Sequence, residues 1–247
     1  MKISVLFMAS AALLATACNA ENGTPSTGSG PEVTAAPVPA PNNGDWSTIV
    51  TKTPEGGFLM GNPNAKVKLV EFGSMTCPHC AEFEEEGGKA LVDNYVKKGL
   101  VSWEFRNFVR DPYDMTATLL ARCGGEANFF GMTRTLFHDQ QNWIEKVQAA
   151  DPAQLQAPQS APPAQQFSTI PDLAGLKTFA AQRGLPRTKA DQCLANQGEV
   201  DQLVQMISDA AAYNIPGTPA FLINNALVEQ TSNWATLEPK IKEALAS

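Results

Sequence analysis

Residues 67–86 read VKLVEFGSMTCPHCAEFEEE: an apolar-rich run, then, four residues on, two cysteines one helical turn apart. Val67 to Phe72 has strand character, and the chain from Cys77 reads as the first turn of a helix. A C-x-x-C at a strand-to-helix junction is the arrangement of a dithiol redox pair. Taken alone, Cys77-Pro78-His79-Cys80 also fits half a zinc site, or two cysteines that happen to be close. The decision rests on what surrounds it.

The amino terminus bears on compartment. Met1-Lys2 is a positive start, Ile3 to Leu14 is nearly all apolar or small, and Ala15-Thr16-Ala17 is a small-residue exit. That is the design of a secretory signal over 1–17, too short for a comfortable membrane span. An exported chain meets conditions in which disulfides persist. Cys18 follows the exit and resembles a bacterial lipoprotein acceptor, with Asn19 beside it favouring the outer membrane. Ala-Thr-Ala also suits ordinary signal cleavage. Of five cysteines, lipidation of Cys18 leaves two pairs, Cys77 with Cys80 and Cys123 with Cys193. The second pair reads as a structural disulfide closing a long loop, or as two buried free thiols.

Residues 18–45 are mostly Ala, Pro, Gly, Ser, Thr and Asn, too poor in large apolar side chains to offset the entropy of ordering. They are expected to form a disordered tether, not a folded dimerisation domain. About 200 residues remain, enough for one substantial core or a core with an insertion. The net charge of −7 argues against nucleic acid and against a basic membrane-binding face. No second long apolar run follows the signal.

The coarse pattern predicts strands at Ser47 to Thr51, Gly57 to Met60 and Val67 to Phe72. A helix from Cys77 to Lys98 should kink at Gly87-Gly88, and Val101 to Val109 alternates like a half-buried strand. Helical periods run from Asp114 to about Ala150. A Pro/Gln/Ala-rich loop follows over 151–171, and helices return from Asp172 to Tyr213 with breaks near 184–186 and 196–198. Ala220 to Ile223 and Ala226 to Val228 read as strands joined at Asn224-Asn225, and Trp234 to Leu245 as a closing helix. The organisation is an α/β core over 46–111 and 199–247, interrupted by a helical insertion over 112–198.

The chemistry needs one exposed thiolate to attack and a second thiol to resolve the mixed disulfide. Cys77, at a helix N-terminus where unpaired N–H groups favour negative charge, is the expected nucleophile; Cys80, one turn inside, is the resolver. His79 lies between them and can place a donor or positive charge near the sulfur, a setting that lowers a cysteine pKa by roughly 1–5 units. The alternative for His79 is a solvated histidine without redox effect. Glu71 sits in an apolar run where a solvent-facing acid is out of character; buried, it could pass a proton to or from Cys80. An acid at a sheet edge is the other reading. Glu84 and Glu85 read as the solvated face of the helix. Ile215 to Phe221, IPGTPAF, is a tight turn entering a strand. Pro219 there is a candidate cis proline, exposing the backbone of Thr218 to an extended client; from composition alone a plain trans turn is the favoured reading.

VEFGSMTCPHCAEFEE together with the later GTPAFLIN resembles the DsbA-like thiol:disulfide oxidoreductases of the bacterial periplasm, over about residues 55–246. The resemblance implies a thioredoxin fold with an inserted all-helical domain. It also implies that Cys77 and Cys80 are the redox pair, Pro78-His79 the tuning dipeptide, Glu71 the buried acid and Pro219 the cis-proline. Cys123 and Cys193 resemble an extra disulfide of some alphaproteobacterial members. Two features depart from the pattern: the Pro-rich 151–171 segment, and Thr218 where prototypical oxidases carry valine.

The function expected is oxidation of unfolded or partly folded exported proteins in the periplasm, with no cofactor, by a monomer re-oxidised by a DsbB-like membrane partner. A reductase or isomerase served by a DsbD-like reductant is the alternative. A lipid-anchored holdase using the peptide groove is a third reading. Zinc at Cys77/Cys80 with His79 or His138 is a fourth, lacking the second C-x-x-C of a structural site.

Overall fold

The computed structural model describes residues 35–41, 44–151, 153, 167 and 169–247. The expected signal, Cys18, most of the tether and most of the 151–171 loop lie outside the described residues.

Six strands form one mixed sheet: β1 (Val50–Lys52), β2 (Phe58–Met60), β3 (Val67–Gly73), β4 (Val101–Asn107), β5 (Ala220–Ile223) and β6 (Ala226–Leu227). Their spatial order is β1-β2-β4-β3-β5-β6. The central strands β3 and β4 run parallel, with Glu71 opposite Phe105, and β2 and β5 flank them antiparallel. The predicted strand at Ser47 starts later. Asp45 accepts from the backbone N–H and hydroxyl of Ser47, and this cap winds Trp46–Thr48 into a 3-10 turn before β1. Asn224 and Asn225 take left-handed φ of 49° and 68°, the two-residue turn that a β5–β6 hairpin requires.

The alternating pattern of β4 misled in one respect: all seven residues are buried, not one face. Trp103 and Phe105 enter the main core. On the other face the sheet is covered too, with Val70, Phe72, Ala220 and Leu222 packing on Ala210. The polar members of β4 there satisfy each other, because Arg106 donates to Glu104 through Nε at 2.8 Å and Nη2 at 2.9 Å. A buried fork–fork pair is the form in which such charges are tolerated.

After Cys77 the chain winds as α1 (Pro78–Phe83), a π turn (Glu84–Gly88), α2 (Lys89–Leu91) and a second π turn (Val92–Val96). The irregularity foreseen at Gly87-Gly88 is the first π turn, and the two glycines make room for two side chains. A Cβ on Gly87 would stand 2.7 Å from the Cβ of Trp234, and one on Gly88 2.7 Å from the Glu84 carboxylate.

Between β4 and β5 come α3 (Pro112–Arg122), α4 (Phe129–His138), α5 (Gln140–Gln148), α6 (Ile170–Leu173), α7 (Leu176–Ala181), α8 (Arg187–Leu194) and α9 (Gln197–Ala210). Helix α3 starts at Asp111, whose carboxylate accepts from the N–H groups of Tyr113 and Asp114 with Pro112 at the first helical position, the preferred opening chemistry. The break foreseen over 196–198 is confined to the cap Asn196, and α9 crosses the expected boundary at 198/199. Cys123, just past α3, is bonded to Cys193 in α8 across 70 residues of chain. Arg122 Nε donates to Glu199 at 2.7 Å, tying α3 to α9. α10 (Trp234–Ala246) closes the chain, its Leu237, Ile241 and Leu245 buried.

The expected tether ends sooner than residue 45. Within 35–41, the Val38 N–H donates to the Lys98 carbonyl at 2.8 Å, and the Trp46 indole donates to the Val38 carbonyl at 2.9 Å. Trp46 is a large apolar side chain in an otherwise poor stretch, and burying it holds the preceding residues to the body.

Candidate active site

β3 ends at Gly73, where a side chain would run into the Phe105 ring. Ser74-Met75-Thr76 then turns the chain, and Cys77 becomes the N-cap of α1 with extended backbone and Pro78 as first helical residue. The geometry follows from sequence: proline fixes φ for a helix start and lacks the N–H that a first turn leaves unpaired. Cys80 lies one turn in.

Both cysteines are more enclosed than foreseen. Cys77 is 2 % exposed, not an open thiol, and Cys80 0 %. The enclosure of Cys77 comes from the loop before β5, where its S–H donates to the Thr218 carbonyl at 3.0 Å. The Thr218–Pro219 peptide is cis. Among the described residues, the buried Thr218 Oγ1 has no hydrogen-bond partner.

The two sulfurs are pulled in opposite directions. Cys77 is held down to about 5, first by the Cys80 thiol donating to it, against the cost of burial, then by Thr218, the Cys80 backbone N–H and the positive charge of Arg110. Burial first, then its bond and charge contact with Cys77, push Cys80 well above an ordinary thiol. One sulfur is a ready anion at neutral pH and the other keeps its proton.

His79 departs from expectation. Its ring is largely solvent-exposed and turns to Glu82, Nδ1 lying 3.1 Å from Oε2. Being one residue past the first helical position, it points outward along the helix, and the cation acting on Cys77 is Arg110. Glu71 is buried at 1 % exposure and accepts from the Trp103 indole at 3.0 Å. Burial, then the nearby Glu84 carboxylate, raises its pKa well above the usual range. Glu84 itself corrects the sequence reading: its side chain is only 10 % exposed, not solvated. The bare Gly88 and Arg134 of α4, whose Nε donates to it at 2.7 Å, draw it in, and burial raises its pKa. Glu85 is exposed.

Sequence reasoning missed the residues that hold the Ser74–Cys77 turn. Gln140, at the start of α5, is buried and donates both protons of its amide, to the Met75 carbonyl at 2.8 Å and the Cys77 carbonyl at 2.9 Å. Asp114 accepts from Ser74 Oγ at 2.6 Å and from the Met75 N–H at 2.8 Å. The one available signal was an aspartate in the first turn of an otherwise apolar helix.

Cys18 lies outside the described residues. Cys123 and Cys193 are bonded to each other, and Cys77 and Cys80 are free thiols. Among the described residues no three His, Cys, Asp or Glu side chains are grouped to hold a metal, and no helix is long and apolar enough to cross a membrane.

The family model described as Thioredoxin (Thioredoxin_4) matches residues 53–243. A Rickettsia bellii protein provisionally named a protein-disulfide oxidoreductase is 34% identical over 91 residues, covering 37% of this chain and 34% of that protein. Another so named, from Rickettsia felis, is 26% identical over 189 residues, 76% of this chain and 59% of that protein. The chain thus spans less than two thirds of the length of these curated relatives. Among solved structures, that of a protein-disulfide isomerase from Novosphingobium aromaticivorans is 37% identical with a TM-score of 0.73, covering 76% of this chain and 97% of that one. Wolbachia pipientis alpha-DsbA1 has the same fold at a TM-score of 0.63 and 21% identity, covering 78% of this chain and 92% of that one.

Proposed function

The chain belongs to the thioredoxin family, with the fold of its DsbA-like members, and from that premise we propose that it is a thiol:disulfide oxidoreductase that oxidises exported proteins at Cys77 and Cys80. The observation that carries this reading is the opposed pull on the two sulfurs, about 5 for Cys77 and well above the ordinary value for Cys80. Stabilising the thiolate stabilises the reduced dithiol selectively, so the Cys77–Cys80 disulfide becomes a strong acceptor of electrons.

A client thiolate attacks Cys77 Sγ of the disulfide, forming a mixed disulfide while Cys80 leaves as thiolate. Cys80 is a poor anion where it lies and takes a proton, which Glu71, buried and protonated, is suited to supply. A second client thiolate then attacks the client sulfur of the mixed disulfide, completing the client's bond and releasing Cys77 as thiolate. The Thr218 backbone beside Cys77 is suited to pair with an extended client segment. A membrane partner of the DsbB kind would re-oxidise the pair, in the exported compartment that residues 1–17 imply, with Cys18 as the candidate lipid attachment.

The isomerase or reductase alternative uses the same sulfurs in the dithiol state. It is favoured by the isomerase name of the 37% identical Novosphingobium protein and by Thr218 before the cis proline. The test is the Cys77–Cys80 reduction potential together with oxidation of a reduced, unfolded protein. A potential well above the glutathione couple with fast oxidation supports the oxidase. A thioredoxin-like potential with efficient disulfide reduction replaces it with the alternative.

A further inference from the structure

We propose that Arg110 is the residue that supplies the positive charge to the Cys77 thiolate, and that Ser74, Thr76, Asp111 and Asp114 are the positioning residues that hold its guanidinium against the turn leading into Cys77. This rests on the reading of Cys77 as the thiolate of the redox pair, and assigns to Arg110 the part that the sequence pattern gave to His79.

Arg110 precedes the cap of α3, and its side chain crosses to the end of β3. Nε donates to Ser74 Oγ at 2.8 Å and Nη2 to Thr76 Oγ1 at 3.1 Å. A hydroxyl has one proton, and in both hydroxyls it is committed elsewhere. Ser74 Oγ donates to Asp114 Oδ2 at 2.6 Å, and Thr76 Oγ1 to Asp111 Oδ2 at 2.8 Å. Each hydroxyl therefore turns a lone pair to the guanidinium, giving two parallel relays from N–H through O–H to a carboxylate. The Arg110 backbone N–H itself donates to Asp114 at 3.0 Å, fixing the backbone from which the side chain starts.

An exposed arginine is ordinarily mobile and its charge screened. Here two directed bonds fix the fork on the residues one and three positions before Cys77. Asp114 is fully buried, so the anchor of the first relay does not move with solvent. Burial holds Asp114 up to about 6 against the bonds it accepts, which leaves it ionised, and an acceptor, at neutral pH. A grip of this form distinguishes arginine from lysine, whose ammonium has no planar fork.

The test is the titration midpoint of the Cys77 thiolate by ultraviolet absorbance in the reduced full chain, with the reduction potential as second readout. Arg110→Met should raise the midpoint by about half a unit and shift the dithiol–disulfide equilibrium about threefold, or about 15 mV, toward a weaker oxidant. Arg110→Lys should recover part of it, and His79→Gln should move it less than Arg110→Met. Ser74→Ala with Thr76→Val keeps the cation but frees it. That variant should raise the midpoint in part, with greater sensitivity to salt, and it carries the test should Arg110→Met fail to fold. An unchanged midpoint in folded Arg110→Met, or in the hydroxyl variant, overturns the assignment. A wild-type midpoint at the ordinary thiol value instead overturns the reading of Cys77 on which it rests.

Discussion

The Trp103 indole donates to the Glu71 carboxyl at 3.0 Å between adjacent central strands. Among the described residues this is the one side-chain hydrogen bond that the Glu71 carboxyl, sealed from water, accepts, and one bond does not offset the loss of hydration. The folded protein accordingly keeps a proton on Glu71 at pH values where the unfolded chain has released it. Over that window the native state binds more protons than the unfolded one, so this group's contribution makes stability decline as pH rises. Glu71→Gln keeps an acceptor for Trp103 and removes the titration. Denaturant midpoints measured across pH should show the variant gaining on the wild type from the ordinary carboxylate range upward, while turnover slows at the step that protonates Cys80.

The largest support for the Cys77 anion is the Cys80 thiol. Cys80→Ala should move the Cys77 titration toward the ordinary thiol range by a unit or more, and Cys80→Ser, which keeps a donor, should move it less. The pH dependence of alkylation by iodoacetamide reads both.

The Cys123–Cys193 bond closes 70 residues of the helical insertion. Chain entropy for a loop of that length gives a stabilisation of about 4 kcal/mol. Cys123→Ala with Cys193→Ala should lower the unfolding free energy by about that amount, while the Cys77 titration stays where it is.

Gly87 leaves the space into which Trp234 of α10 packs. Gly87→Ala should cost about 1–3 kcal/mol, the usual range for an overfilled core site, although alanine is otherwise the better helix former. Thermal unfolding of the single variant checks this, and a gain in stability would show that the indole gives way freely.

Much of this architecture was legible in the chain. Val67 to Phe72 announced a strand because it is rich in apolar residues, and the acid within it pointed to burial for the same reason, with a sheet edge as the other reading. Asn224-Asn225 announced the hairpin because asparagine tolerates the left-handed turn. Local patterns carry that kind of information. The partners of the site were not legible, because distance along the chain hides them. Gln140 reaches Cys77 across 63 positions and Asp114 reaches Ser74 across 40, and both look like ordinary helix-start residues until the fold brings them in. Glu84 looked solvated because its neighbours Glu85 and Glu86 are; its burial depends on Arg134 from another helix and on a missing side chain at Gly88. His79 misled for the converse reason. Adjacency in sequence suggested an electrostatic role, whereas helix geometry turns the ring away.

Gln140 belongs to the inserted helices, yet its single amide grips the carbonyls on both sides of Thr76. Helix α5 and the Cys77 sulfur are thereby linked like a lever and its load. A client that tilts α5 as it settles would drag the sulfur along, making docking and the approach of the reacting atoms a single mechanical event.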